Sequence, residues 1–187
     1  MNTKTKKLST VSMVLCGMFA ALVAIGAFIQ IPVSYMDYFT LQFFFVLLAG
    51  LILGADKGAI SVGCYVLLGL VGVPIFAAGG GIGYIFRPSF GYLVGFIVSA
   101  YVTGKVCEKL KASYKNYLLA CLAGFVVTYA IGIVYKFIIL NFYAHTPATL
   151  GVIFLSCFPL DMPGDFVLCL LAAGVGLRMR KSGFYLS

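Results

Sequence analysis

The chain has 187 residues, 63% of them hydrophobic and only 10% charged, with a formal net charge of +8 and a mean hydropathy of +1.10. A soluble domain of this length carries roughly a quarter charged residues, so a water-soluble enzyme or binding module is excluded and the chain reads as an integral membrane protein. The period-two alternation of a transmembrane barrel is absent, which leaves a helical bundle.

Charge-free runs extend over Leu8–Met36, Tyr38–Ala55, Gly58–Phe86, Pro88–Gly104, Asn116–Tyr135 and Phe137–Leu160. Each is comparable to the roughly 20 apolar residues that cross the hydrocarbon core. They predict a single all-α membrane domain, 1–187, with six transmembrane helices at approximately 9–31, 39–54, 58–73, 89–106, 116–141 and 150–177. The start of the first, with Lys4, Lys6 and Lys7, resembles the basic end of a signal peptide. Its apolar run is too long and lacks an Ala-x-Ala-like exit, so a retained helix is expected. That helix spaces small residues one turn apart, Gly17 with Ala21 and Ala20 with Ala24. Such a face packs closely inside a bundle or docks another membrane subunit.

The second and third helices are short, and the third and fourth are joined by GGGIGYIFRPSFGY, Gly79 to Tyr92. Clustered glycines allow close backbone approach and unusual conformations. With Tyr84, Tyr92 and the cation Arg87 beside Gly80 and Gly81, the segment has the chemistry of a pocket for a flat anionic molecule. Further polar residues are expected at a similar depth: Gln42 opening the second helix, and Tyr135, Lys136 and Asn141 late in the fifth. A single one of these is often only a helix–helix hydrogen bond, but several together favour a binding site. Pro163 and Gly164 precede Asp165 and are expected to interrupt or start the helix there; a helix N-terminus at that point would present free N–H groups. His145 falls in an outer loop and reads as solvated.

The charges are distributed asymmetrically. Lys4, Lys6, Lys7, Lys57, Lys105, Lys109, Lys111, Lys115, Arg178, Arg180 and Lys181 all fall on one side of a six-span topology. Positive charge marks the cytoplasmic side, so both termini are expected there and nucleic acid is not the partner. Arg87 and Lys136 are the two cations left over, on the outer half with Asp37, Asp161 and Asp165. Charges at such depth cost on the order of 3 kcal/mol at the bilayer centre, so they pair or line a cavity. A structural ion pair of Lys136 with Asp165 and convergence on a ligand are both open. The six cysteines, Cys16, Cys64, Cys107, Cys121, Cys157 and Cys169, are scattered without a C-x-x-C pair. They predict free thiols with neither disulfide nor metal site. No phosphate-binding GxxxxGK[ST] loop is present, so an ATP-driven process would need a partner.

Taken in order, the LAG-x-x-LG, GG-x-G and P-[ST]-x-GYL-x-GF elements within Thr40–Phe96, and FPLDMPGDFVLCLLAAGVGLRMRK from Phe158 to Lys181, resemble the BioY family. Its members are the biotin-specific substrate-binding (S) components of energy-coupling factor transporters, and the resemblance covers nearly the whole chain. It implies high-affinity biotin binding from outside, a transmembrane coupling subunit and two cytosolic ATPases, and no cofactor or catalytic residue. It also implies docking of the coupling subunit on a small-residue face of the first helix, which fits Ala20 and Ala24 here, and delivery by toppling of the whole bundle. Many members carry a lysine three residues after the aspartate, where this chain has Leu168; Lys136 or Arg87 is then the expected replacement. An S component for another vitamin, such as thiamine or riboflavin, is the nearest alternative. Gly81-Ile82-Gly83-Tyr84 is only faintly like a potassium filter, and the residues offer no nucleophile–base pair for a membrane enzyme.

Overall fold

Apolar residues surround each long helix rather than forming a stripe, the pattern of helices whose outer faces meet lipid. The computed structural model describes residues 9–33, 37–144, 146, 148–157 and 161–183. Helix α1 runs Thr10–Phe28 and is followed by two short antiparallel strands, β1 (Gln30–Val33) and β2 (Asp37–Thr40). Helices α2 (Gln42–Leu53) and α3 (Ala55–Val71) come next, then a single 3-10 turn, Ile82–Phe86, within the glycine–aromatic segment. Helices α4 (Phe90–Lys109) and α5 (Tyr114–Ile138) form the central hairpin, and α5 continues into a π turn, Ile139–Tyr143. The chain closes with α6 (Leu150–Cys157) and α7 (Asp161–Lys181).

Four segments among the described residues are long and apolar enough to cross a membrane: α1, α4, Tyr114–Tyr143 and α7. The remaining apolar helices are shorter. The helix expected at 9–31 stops at Phe28, because residues 30–33 pair as a strand with 37–40 in the register Gln30↔Thr40 to Val33↔Asp37. For the same reason the helix expected from 39 starts at Gln42. The single helix expected at 150–177 is two, α6 and α7, and residues 158–160 between them lie outside the described residues. His145 and the side chain of Asp37 also lie outside them.

Helix α4 lies at the centre, against α5, α3 and α2, while α7 packs on α5 and α2. Val46, Leu47, Val62, Tyr65, Ala100, Ala120, Ala172 and Ala173 fill the interior. Large apolar side chains such as Val14, Ile25, Leu67, Val126 and Leu171 are exposed around the outside. In water such a surface would drive aggregation; in lipid it is the solvated face, and the protein is a multi-pass membrane protein.

One end of the bundle is fastened by polar contacts. The Glu108 carboxylate accepts from the Ala55 N–H at 2.9 Å, satisfying a free donor at the start of α3. Arg180 Nη1 donates to the Tyr117 hydroxyl at 3.1 Å. These contacts bring the start of α3, the end of α4, the start of α5 and the end of α7 together, and with them Lys57, Lys105, Lys109, Lys115, Arg178 and Lys181. The opposite end holds the starts of α2, α4 and α7 and the strand pair.

Candidate functional site

A cavity of about 80 Å³ opens at the end opposite the lysine-rich one. Strand β2 contributes Tyr38, Phe39 and Thr40 to its wall, and α2 contributes Gln42 and Phe43. The glycine–aromatic segment adds Tyr84, Arg87 and Ser89, α4 adds Tyr92, Leu93 and Phe96, α5 adds Tyr129, and α7 adds Asp161 and Asp165. Residues more than 100 positions apart in the chain thus meet in one chamber.

Its floor is aromatic. Phe43 stacks with Phe96 at a centroid distance of 5.9 Å. Tyr92 meets the Tyr129 ring edge-on at 5.9 Å. Its hydroxyl lies 3.0 Å from Cys157 Sγ, which ties α4 to α6. Offset and edge-to-face arrangements of this kind add stability beyond area burial.

Two polar groups are fixed in this apolar setting. The Tyr129 hydroxyl donates to Asp165 Oδ2 at 2.8 Å, and Tyr129 and Asp165 are both buried. Pro163 falls in the first turn of α7, where its missing N–H removes no helical hydrogen bond, and Asp165 follows in a regular helix. Gln42 is held from two sides: its Oε1 accepts from Thr40 Oγ1 at 3.1 Å, and its Nε2 donates to the Tyr65 hydroxyl. Arg87 is exposed at the mouth, its guanidinium 5.3 Å from the Tyr84 ring centroid. That distance is within cation–π range.

Of the residues singled out in the sequence, Gln42, Tyr84, Arg87, Tyr92, Asp161 and Asp165 share this cavity. Gly80, Gly81, Tyr135, Lys136 and Asn141 stand outside its lining, and several have visible structural work. Gly81, with φ of 101°, turns its N–H onto the Gly69 carbonyl at 2.7 Å. A Cβ on Gly80 would stand 2.3 Å from the Val73 carbonyl oxygen. These glycines therefore shape the loop that carries Tyr84 and Arg87 rather than face the chamber. Tyr135 donates to the Ile85 carbonyl at 2.6 Å, bracing the loop against α5. Asn141 donates to the Phe137 and Ala148 carbonyls and accepts from the Ala148 N–H, closing the π turn. Lys136 is buried on α5, outside the cavity lining, and Leu168 is packed in the core.

On α1, Gly17 and Ala21 are exposed, Ala24 is half-buried and Ala20 is buried in the core. The sequence reading missed Tyr129, Phe43, Phe96 and the β2 residues. Tyr129 and Asp165 are 36 positions apart, and no local pattern announces such a pair. Among the described residues no group of three or more His, Cys, Asp or Glu side chains could hold a metal ion.

Comparison with known proteins bears on this architecture. The model of the BioY family matches residues 1–183. The probable biotin transporter BioY of Lysinibacillus sphaericus is 39% identical over 177 residues, covering 94% of this chain and 90% of the relative. The biotin transporter BioY of Thermotoga maritima is 39% identical over 169 residues, covering 88% and 93%. The crystal structure of the S-component for biotin from an ECF-type ABC transporter superposes with a TM-score of 0.81 at 25% identity, covering 97% of this chain and 95% of that one. A family match over almost the full length, with the same fold throughout, leaves one assignment: the chain belongs to the BioY family.

Proposed function

We propose that this protein binds biotin and takes it up across the cytoplasmic membrane as the substrate-specific S component of an energy-coupling factor transporter. The observation that carries the reading is the chamber itself, in which a buried carboxylate and a fixed amide stand over an aromatic floor with one arginine at the mouth. Biotin has a ureido ring with two N–H donors, an apolar bicycle and a carboxylate tail. The Asp165 carboxylate and Gln42 Oε1 are acceptors for the two donors. The bicycle packs on Phe43, Phe96, Tyr84 and Tyr92. The tail extends to Arg87, a charge-assisted contact of the kind that favours arginine for carboxylates. Arg87 thereby does the work of the lysine absent at Leu168.

In the membrane we assign six spans, with α6 and α7 together as the last. The cation-rich end is cytoplasmic, with both termini there, and the chamber opens outside. A transmembrane coupling subunit seats on the exposed Gly17–Ala21 stripe of α1, where small residues let backbones approach; two cytosolic ATPases supply the energy.

Calorimetric titration of the purified protein with biotin, desthiobiotin, thiamine and riboflavin tests the substrate. Saturable binding of biotin, weaker binding of desthiobiotin and none of the other two is the expected result. Binding of thiamine or riboflavin in place of biotin would overturn the assignment.

A further inference from the structure

Tyr65 lies on α3, fully buried and outside the cavity lining, yet it sits at the centre of a directed chain of hydrogen bonds. Its hydroxyl donates to the Ile75 carbonyl at 3.1 Å and accepts from Gln42 Nε2. On the other side, Thr40 Oγ1 donates to Gln42 Oε1 at 3.1 Å. The direction of the chain follows from its end. A backbone carbonyl can only accept, so the single phenolic proton is committed to Ile75. The hydroxyl can then only accept from Gln42, and the atom facing it must be the amide nitrogen. The carbonyl oxygen of Gln42 is consequently turned to the Thr40 side. Thr40 lines the chamber and Tyr65 does not.

From this we infer that Tyr65 is a positioning residue that sets the polarity of Gln42, so that the amide offers the chamber an acceptor and not a donor. The inference rests on the proposed biotin reading and deepens it. Asp165 is a second acceptor, and a ligand matched to both must present two N–H donors. Without the phenol, the amide can rotate and turn its NH₂ toward the chamber. A ureido N–H would then face an N–H, and a neighbouring carboxylate or carbonyl would bind in its place. The carbonyl of Ile75 belongs to the loop leading to the glycine cluster, so loop conformation and ligand chemistry are linked through one phenol.

The test is a double-mutant cycle on biotin affinity, using Tyr65→Phe, Gln42→Leu and the pair, in the full-length purified protein. Tyr65→Phe is expected to lower biotin affinity about tenfold in the native background, the size of one hydrogen bond lost and one mismatch gained. In the Gln42→Leu background the same change is expected to alter affinity less than about twofold, since there is no amide left to orient. Equal loss in both backgrounds, or no loss in either, would overturn the inference. Thr40→Val provides a second route if Tyr65→Phe lowers the yield of folded protein. It removes the donor that holds Oε1, and its effect should also vanish in the Gln42→Leu background; persistence of that effect would count against the relay. Failure of the native protein to bind biotin at all would instead sink the biotin reading.

Discussion

Replacing Gly132 with alanine is the sharpest probe of the chamber. Gly132 lies on α5 under the Tyr92 ring, and a Cβ there would stand 2.4 Å from Cε1, 2.5 Å from Cδ1 and 2.9 Å from Cγ of that ring. Carbon–carbon contacts settle at about 3.5–4.0 Å, so the ring must shift by roughly 1 Å. It has little freedom to do so, being edge-on to Tyr129 and hydrogen-bonded to Cys157. Tyr92 lines the chamber, so a displaced ring is expected to encroach on it. Overpacking of this kind costs about 1–3 kcal/mol, and the better helix propensity of alanine offsets up to about 1 kcal/mol. A net loss of roughly 1–2 kcal/mol lowers the melting temperature by about 2–8 °C for a chain of this size.

Biotin affinity should fall at least tenfold, about 1.4 kcal/mol, because the displaced ring occupies ligand space. Gly63→Ala is the control: an added Cβ on α3 meets nothing within 4 Å, so stability should hold or rise slightly and binding should be unchanged. Thermal unfolding and calorimetric titration in detergent read both quantities. A Gly132→Ala protein that binds biotin within twofold of the native protein would refute the argument that Tyr92 forms a chamber wall of fixed position.

Asp165→Ala removes the acceptor of the Tyr129 hydroxyl and one ligand contact together, and biotin affinity measured by titration should drop at least about tenfold, with Asp165→Asn in between. Arg87→Ala should weaken biotin about tenfold while leaving biotinamide, which lacks the carboxylate, unaffected; equal losses for both ligands would remove Arg87 from the tail. Lys136→Ala supplies the comparison, and if neither cation variant loses tenfold, the replacement of the lysine absent at Leu168 by either one fails. Glu108→Ala deletes the side-chain acceptor at the start of α3 and should cost about 1 kcal/mol of stability in thermal unfolding, with biotin affinity unchanged because the site is at the other end of the bundle.

Much of the fold was legible because a bilayer imposes one-dimensional rules. A run of apolar residues long enough to cross must satisfy its own backbone, and that means a helix, which is why α1, α4, α5 and most of α7 fall near the spans read from charge-free runs. The β1–β2 pair was not legible. It lies within and just beyond the same apolar run as α1, and pairing between Gln30 and Thr40 depends on the chain reversing, which hydropathy does not register. The break between α6 and α7 was half legible: Pro163 and Gly164 pointed to an interruption or a start at Asp165, but hydropathy joined the two pieces into one span, and α7 begins four residues earlier, at Asp161.

The candidate site divides in the same way. Arg87, Asp165 and Gln42 stood out in the sequence because a charged or amide group in an apolar span is costly unless it has a purpose, and residue type alone carries that information. Tyr129, Phe43 and Phe96 did not stand out, since aromatic residues are at home in any membrane helix and only their convergence distinguishes them. The glycines of residues 79–81 were conspicuous for a true reason, an unusual backbone, but backbone shape and ligand contact are separate properties. By itself, then, the sequence determined that the chain is a membrane-embedded helical bundle with its cations gathered at one end and a few polar groups set against them. Only the tertiary structure decided which of those groups share a chamber, because a side chain's partners come from helix packing across the bundle rather than from its neighbours along the chain.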